Sequence, residues 1–208
     1  MASAAFRVAV LISGSGTNLQ ALLDTVHGSD VEIVAVASSR ADAPGLERAS
    51  RAGVETAVFA IADHEDRGAR DQALGDWLEA RGVQLVVLAG FMELLGDELV
   101  RRFAGRMVNV HPSLLPAFPG VRAIEQAVEH GVKVTGVTVH FVDEHLDNGP
   151  IVLQEALELP YPAPIAEIEQ RVHDVEHRLL PRAVRLIAAG RVRLDPANPR
   201  VVLIDDVD

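Results

Sequence analysis

Two polar side chains end an otherwise apolar run, MVNVH, at residues 107–111: Asn109 and His111. On an extended strand, positions two apart point to the same side. An Asn amide donates to a developing oxyanion, and an imidazole moves a proton near neutral pH. Buried without partners, such groups cost about 1–3 kcal/mol each. They are therefore either chemical groups or side chains satisfied by neighbouring backbone, and the segment alone leaves both open. Prolines 112, 116 and 119 stiffen the loop that follows. Further on, Thr138 and His140 share a face of the run VTGVTVHF, and Asp147 lies in the sequence LDNGP. Asp147 reads either as a plain turn residue or as a carboxylate that keeps His111 protonated or orders a water.

A second candidate is Ser13-Gly14-Ser15-Gly16-Thr17-Asn18, between an apolar run and a helical pattern. Glycines let the backbone approach an anion, and the amides of Gly16, Thr17 and Asn18 at a helix start would point at it. Thr17 and Asn18 are also good N-caps, so a capped turn with no ligand is the competing interpretation. A dinucleotide fingerprint fails, because position 19 is Leu19 and the second strand ends Ser38-Ser39-Arg40 without a carboxylate. A P-loop fails for want of Gly-Lys-Ser/Thr. A loop suited to one phosphate monoester remains. His173 and His177, four apart on a helix, invite a zinc reading, but the H-E-x-x-H pattern and a third ligand are missing, and no metal is expected.

The elements that must carry these groups alternate. Phe6–Ile12, Val31–Ser38, 55–59, Leu85–Leu88 and 107–110 read as strands. Helical patterns lie at 18–26, 44–52 and 65–81, with Ala62 to Asp71 as a solvated helix start. Leu85–Leu88 is apolar on both faces, as a central parallel strand should be. Val134–Phe141 and 151–157, joined by a turn at Asp147-Asn148-Gly149-Pro150, suggest an antiparallel pair. A helix over 165–189 closes the body, with Pro181 expected to kink or split it. The expected fold class is α/β: a single-domain, Rossmann-like, open and mostly parallel sheet with helices on both faces and an antiparallel pair in the C-terminal half. The ligand-binding ends are then the segments after Ile12, Leu88, Val110 and Phe141.

Composition narrows the functions. The 208 residues are 49% hydrophobic and 24% charged, which is globular rather than disordered. A chain of this length buries about 70% of its unfolded surface and needs no staple. The absence of cysteine excludes disulfides, thiolate metal sites and cysteine nucleophiles. Against 30 Asp and Glu stand 19 Lys and Arg, a net charge of −11. That argues against nucleic acid or an anionic membrane as partner, while backbone amides still hold a small anion. The apolar run at 8–12 is too short for a signal segment or a membrane span, so a cytoplasmic location is expected.

Taken in order, residues 12–20 (ISGSGTNLQ), 88–92 (LAGFM), 109–116 (NVHPSLLP), 139–142 (VHFV) and 146–150 (LDNGP) closely resemble the folate-dependent phosphoribosylglycinamide formyltransferase family. The resemblance runs from Arg7 to about Gly190. It implies one formyltransferase domain over 1–190, with a phosphate-binding half over about 1–105, a folate-binding half over about 106–190 meeting it at the catalytic loop, and a C-terminal tail over 191–208.

Carried over by position, the resemblance makes Asn109, His111 and Asp147 the catalytic trio and gives the ribose phosphate to Gly16, Thr17 and Asn18. Arg67, Met92, Glu93, Leu94 and Leu95 would bind the folate, together with Asn109 and the run Val142, Asp143, Glu144, His145, Leu146 and Asp147. Glu176 and His173 would meet the glycinamide end. Two departures stand out: Glu93 replaces a residue commonly basic in the family, and Arg122 and Ile124 replace histidines found in some members. The implied reaction is formyl transfer from 10-formyltetrahydrofolate to the amine of glycinamide ribonucleotide in purine biosynthesis. The implied partners are these small molecules, with the chain a monomer or homodimer.

Formyl-folate hydrolases and methionyl-tRNA or amino-sugar transferases share the trio; the hydrolases carry an additional N-terminal regulatory domain and the tRNA enzymes an additional C-terminal barrel. The first strand at Phe6, the 18 residues after Gly190 and the acidic charge favour the ribonucleotide enzyme. A non-catalytic phosphosugar-binding module is the alternative of another class, and it leaves the trio unexplained.

Overall fold

The computed structural model describes residues 5–205. Its chain divides into two compact units, one up to Val108 and one from Asn109 on.

The first unit builds a parallel sheet in the order β3-β2-β1-β4 from β1 (Phe6–Ile12), β2 (Val31–Ser38), β3 (Glu55–Val58) and β4 (Leu85–Leu88). Residues Val8 to Ile12 and Leu85 to Val87 are fully enclosed, as expected for strands covered on both faces. Between them run α1 (Thr17–Thr25), α2 (Pro44–Arg51), a single 3-10 turn and α3 (Arg67–Ala80), with α4 (Asp97–Arg102) after β4. Pro44 at the first position of α2 suits its fixed φ and missing N–H, and Asp66 caps α3 by accepting from the Ala69 amide. Helix α3 thus starts two residues later than the sequence pattern suggests. Thr17 and Asn18 are not caps: Gly16 is the N-cap of α1, and no side chain bonds there.

The second unit receives the end of β5 (Met107–His111), followed by α5 (Ala123–Glu129), β6 (Val134–Phe141), β7 (Ile151–Glu158), α6 (Ile165–Ala188), β8 (Val192–Asp195) and β9 (Asn198–Ile204). Its strands lie in the order β5-β6-β7-β9-β8, and β6 and β7 form the expected antiparallel pair. Two expectations are corrected. Helix α6 runs unbroken through Pro181. Ile168, Val172, Val175, Leu179, Leu180, Ala183 and Val184 bury one face of it, and α6 packs on β6 and β7. That face lies on both sides of the proline, so its burial outweighs the roughly 3 kcal/mol of a proline inside a helix. Nor is the C-terminal segment a tail: 192–204 folds into the β8–β9 hairpin, which meets β7 through Ile151 and Val201. The last three residues of the expected tail lie outside the described residues.

Candidate active site

The best-defined constellation lies in the second unit. Asn109 and His111 sit at the end of β5 with the shared orientation their spacing requires. His111 is 4% exposed and its Nε2 lies 2.8 Å from the Phe118 carbonyl. A carbonyl only accepts, so Nε2 carries a proton and proton exchange is left to Nδ1. Nδ1 faces Asp147 Oδ2 at 3.5 Å.

Asp147 adopts a left-handed backbone, φ 49°, in the loop between β6 and β7, and only 8% of its side chain is exposed. Oδ2 accepts the Gly120 amide at 2.7 Å. Oδ1 lies 3.4 Å from Asn109 Nδ2 and 3.7 Å from His140 Nε2. Burial alone would raise the carboxyl pKa. The His140 imidazole, the Gly120 amide and the charge that His111 and His140 bear when protonated outweigh it, holding Asp147 below its ordinary value. His140 completes the group: its Nδ1 donates to the Phe141 carbonyl at 2.8 Å, and its Nε2 lies 3.3 Å from Asn109 Nδ2.

The scaffold of this cluster is local. Thr138 Oγ1 donates to the Ser113 carbonyl at 2.7 Å and accepts the Leu115 amide at 3.1 Å, while Gln154 Nε2 reaches both Thr138 Oγ1 and the Leu115 carbonyl at 2.9 Å. These bonds fix the start of the loop that carries Phe118 and Gly120 to the cluster. Gly149 is required by close approach: a Cβ there would lie 1.8 Å from the Phe141 oxygen. Only glycine lets the Asp147 loop fold back onto the end of β6.

Of the other second-unit candidates, Val142 and Asp143 are half-buried, Glu144 and His145 are exposed, and Leu146 is 61% exposed. Asp143 Oδ1 accepts the His145 amide, shaping this turn. On α6, Glu176 is buried and its Oε2 lies 2.9 Å from His173 Nδ1. The Glu176 hydrogen bond raises the His173 pKa above the ordinary imidazole value against the effect of burial, aided by the charges of Glu176, Glu169 and Asp174. Burial lowers that of His177. Arg122 takes a left-handed backbone ahead of α5, and Ile124 is buried.

In the first unit, the glycine-rich loop leaves β1 with Gly14 and Ser15 exposed and Gly16 left-handed, φ 70°. A Cβ on Gly16 would lie 2.6 Å from the Gly45 Cα, so α2 presses directly on the loop. Arg48 Nε donates to the Ser15 carbonyl at 2.8 Å, and the Gly45 amide donates to Gly14 at 3.1 Å. Buried Ser13 lies 2.7 Å from Ser39, Oγ to Oγ, and accepts the Met92 amide at 2.8 Å, linking this loop to the segment after β4. In that segment Met92 is 69% and Leu94 55% exposed, whereas Glu93 and Leu95 are half-buried. Arg67 is exposed at the start of α3.

Sequence reasoning placed His140 on the face of Thr138 without assigning it a partner. It also missed Gly120 and Phe118, which act through backbone atoms and leave no side-chain signature, and Arg48, whose link to the loop is long-range.

An amide donor, an imidazole and a carboxylate gathered at the end of β5 form a candidate catalytic constellation. Residues 6–184 match the formyl transferase family model, and the chain belongs to that family. It is 42% identical over 190 residues to the phosphoribosylglycinamide formyltransferase of Haemophilus influenzae, covering 90% of each chain. It is 46% identical to the trifunctional purine biosynthetic protein adenosine-3 of Bos taurus, over 90% of this chain and 19% of that protein. The chain therefore spans about a fifth of the length of such trifunctional relatives. Among solved structures, glycinamide ribonucleotide transformylase 1 from Symbiobacterium toebii superposes with a TM-score of 0.91 at 47% identity, covering 97% of this chain and 95% of that one.

Proposed function

We propose that this chain transfers the formyl group of 10-formyltetrahydrofolate to the primary amine of glycinamide ribonucleotide, releasing tetrahydrofolate and the formylated ribonucleotide for purine biosynthesis. The observation that carries this reading is the cluster of half-buried Asn109 with the enclosed side chains of His111 and Asp147 in a formyl transferase chain, with the Asp147 carboxyl held below its ordinary pKa. The neutral amine attacks the formyl carbon, a C–N bond forms, and the carbonyl oxygen gains negative charge. Asn109 Nδ2 meets Asp147 and His140 only at 3.3–3.4 Å, so its protons are easily redirected to that oxygen. His111 Nδ1, when it carries a proton, is a second donor toward that oxygen, and Asp147 Oδ2 lies 3.5 Å from it. As the tetrahedral centre collapses, the bond to folate N10 breaks. The proton lost by the amine passes to that nitrogen, with Asp147 as the base that accepts or relays it. No covalent enzyme intermediate is required.

The remaining assignments follow the family resemblance and their placement. Gly16, Thr17 and Asn18 offer helix-terminal amides to the ribose phosphate. Arg67, the Met92 to Leu95 segment and the Val142 to Asp147 loop take the folate. Glu176 and His173 take the glycinamide end, and the exposed Met92 side chain suits an apolar ring face better than a core role. The test is incubation with both substrates and, separately, with the folate alone. Tetrahydrofolate release that requires the amine supports transfer. Release without the amine makes the protein a hydrolase, and no release with either makes it a binding module.

A further inference from the structure

The first unit buries an ion pair that the chemistry above does not use. Arg70 is wholly enclosed and its neighbour Asp71 is 4% exposed, with Arg70 Nε 2.6 Å from Asp71 Oδ1. Two adjacent charges on α3 carry a desolvation cost that hydrophobic residues of similar size would avoid. Both reach the same segment. Arg70 Nη2 donates to the Leu94 carbonyl at 3.1 Å, and Asp71 Oδ2 accepts the Gly96 amide at 2.6 Å. The Arg70 guanidinium also lies over the Phe91 ring, 5.8 Å from its centroid. Residues 91–96 have no helix or strand of their own, so these contacts stand where a ladder of backbone bonds would otherwise fix the chain. Nη1 of Arg70 finds no acceptor among the described residues, which sets the pair apart from a fully satisfied structural network.

We infer that Arg70 and Asp71 are positioning residues for the folate. By clamping Leu94 and Gly96 they hold the backbone of Met92 to Leu95 in the one conformation that receives the pterin ring. This rests on the assignment of that segment to the folate. A pterin is flat and carries a fixed pattern of donors and acceptors, so recognition by backbone groups demands a segment that does not shift by even a fraction of an ångström. The pair would then set folate affinity and leave phosphate binding unaffected.

Two substitutions test it. Asp71→Asn removes the charge that holds Gly96. Gly96→Ala keeps every charge but places a Cβ 3.0 Å from Asp71 Oδ2, pressing the clamp open; its backbone, φ −73°, accepts alanine without strain. Affinity for tetrahydrofolate is measured by calorimetry under anaerobic conditions, and inorganic phosphate is tested as a competitor of the ribonucleotide. The expected result is a loss of tetrahydrofolate affinity of roughly 5- to 50-fold with phosphate inhibition changed less than 2-fold. If Asp71→Asn does not fold, Gly96→Ala decides alone. A parent protein that binds no tetrahydrofolate overturns the folate assignment and this inference with it. A parent that binds while folded variants bind equally well, or lose both ligands alike, overturns the clamp and leaves the assignment standing.

Discussion

The glycine-rich loop of the first unit and the Asn109–His111–Asp147 cluster of the second, the two sites proposed for ligand chemistry, are built in opposite ways. The loop is made of backbone: Gly14 and Ser15 lie open to solvent, and its shape is set by the left-handed Gly16, by Gly45 pressed against it and by Arg48 on the Ser15 carbonyl. The cluster is made of side chains, half-buried at Asn109 and almost wholly enclosed at His111 and Asp147, bonded to one another and to the carbonyls and amides of a proline-stiffened loop. A site of backbone amides tolerates changed side chains but no added Cβ. A site of side chains is the reverse: isosteric replacements keep its shape and remove its function.

The largest effect that this contrast demands is in the cluster. Asn109→Ala and His111→Asn should each lower kcat by roughly 10²–10⁴. Their melting temperatures should stay within a few degrees of the parent, at about 2–4 °C per kcal/mol for a chain of this length. The double variant should lose far less than the product of the single losses, since the groups act as one unit. Steady-state kinetics beside calorimetric melting gives both numbers, and a fully active His111→Asn protein would end the proposed mechanism.

Gly16→Ala comes next and should behave in the opposite way. A left-handed non-glycine residue costs about 1–2 kcal/mol, and the added Cβ also meets the Gly45 backbone. Melting should fall by several degrees, with the KM for the ribonucleotide rising and that for the folate unchanged. Thr17→Ala, by contrast, leaves its amide in place and should raise that KM less than about 3-fold with no loss of stability. If Thr17→Ala is as damaging as Gly16→Ala, the loop is not built from backbone.

The smallest effects are in acid and alkali. Asp147 is depressed, so its contribution to stability is complete above the ordinary carboxylate value of about 3.9 and is lost as the pH falls through the lower folded value. Asp147→Asn should therefore melt below the parent at pH 7, with the gap closing as the pH falls below about 4. His173 is raised, so its contribution is full below about 6.5 and fades as the pH rises through the folded value. Because His173 is 45% exposed, Glu176→Gln should lower melting only slightly at pH 6 and not at all at pH 9. Melting curves across this range test both signs.

What the sequence disclosed follows the same division. Strands such as Phe6–Ile12 and Val134–Phe141 were legible end to end, because a buried strand needs an apolar run and little else is written that way. Asn109 and His111 stood out because polar side chains at the end of such a run demand partners. The partners themselves were not legible: the Phe118 carbonyl and the Gly120 amide belong to the backbone, which every residue shares. Helices α4 and α5, 6 and 7 residues long, carry too few turns for a periodic signal. Pro181 does not split α6, although local propensity allows a kink or a split there, because burial of seven apolar side chains on both sides of it keeps the helix continuous.

The β8–β9 hairpin bears on how the protein behaves in a crowded solution. Strand β7 would otherwise end the second unit's sheet, presenting open N–H and C=O groups to any passing strand. At its first residue, Ile151, the edge is engaged by Val201 of β9. Farther along, Glu155 and Glu158 place charge on it, and Arg178 pairs with Glu155. The new edge, β8, is only four residues long and carries Arg193 and Asp195. The hairpin thus engages one end of the β7 edge and the charges of Glu155 and Glu158 mark the rest, so a chain cut after Gly190 should aggregate at lower concentrations than the whole chain, as light scattering of the two would show.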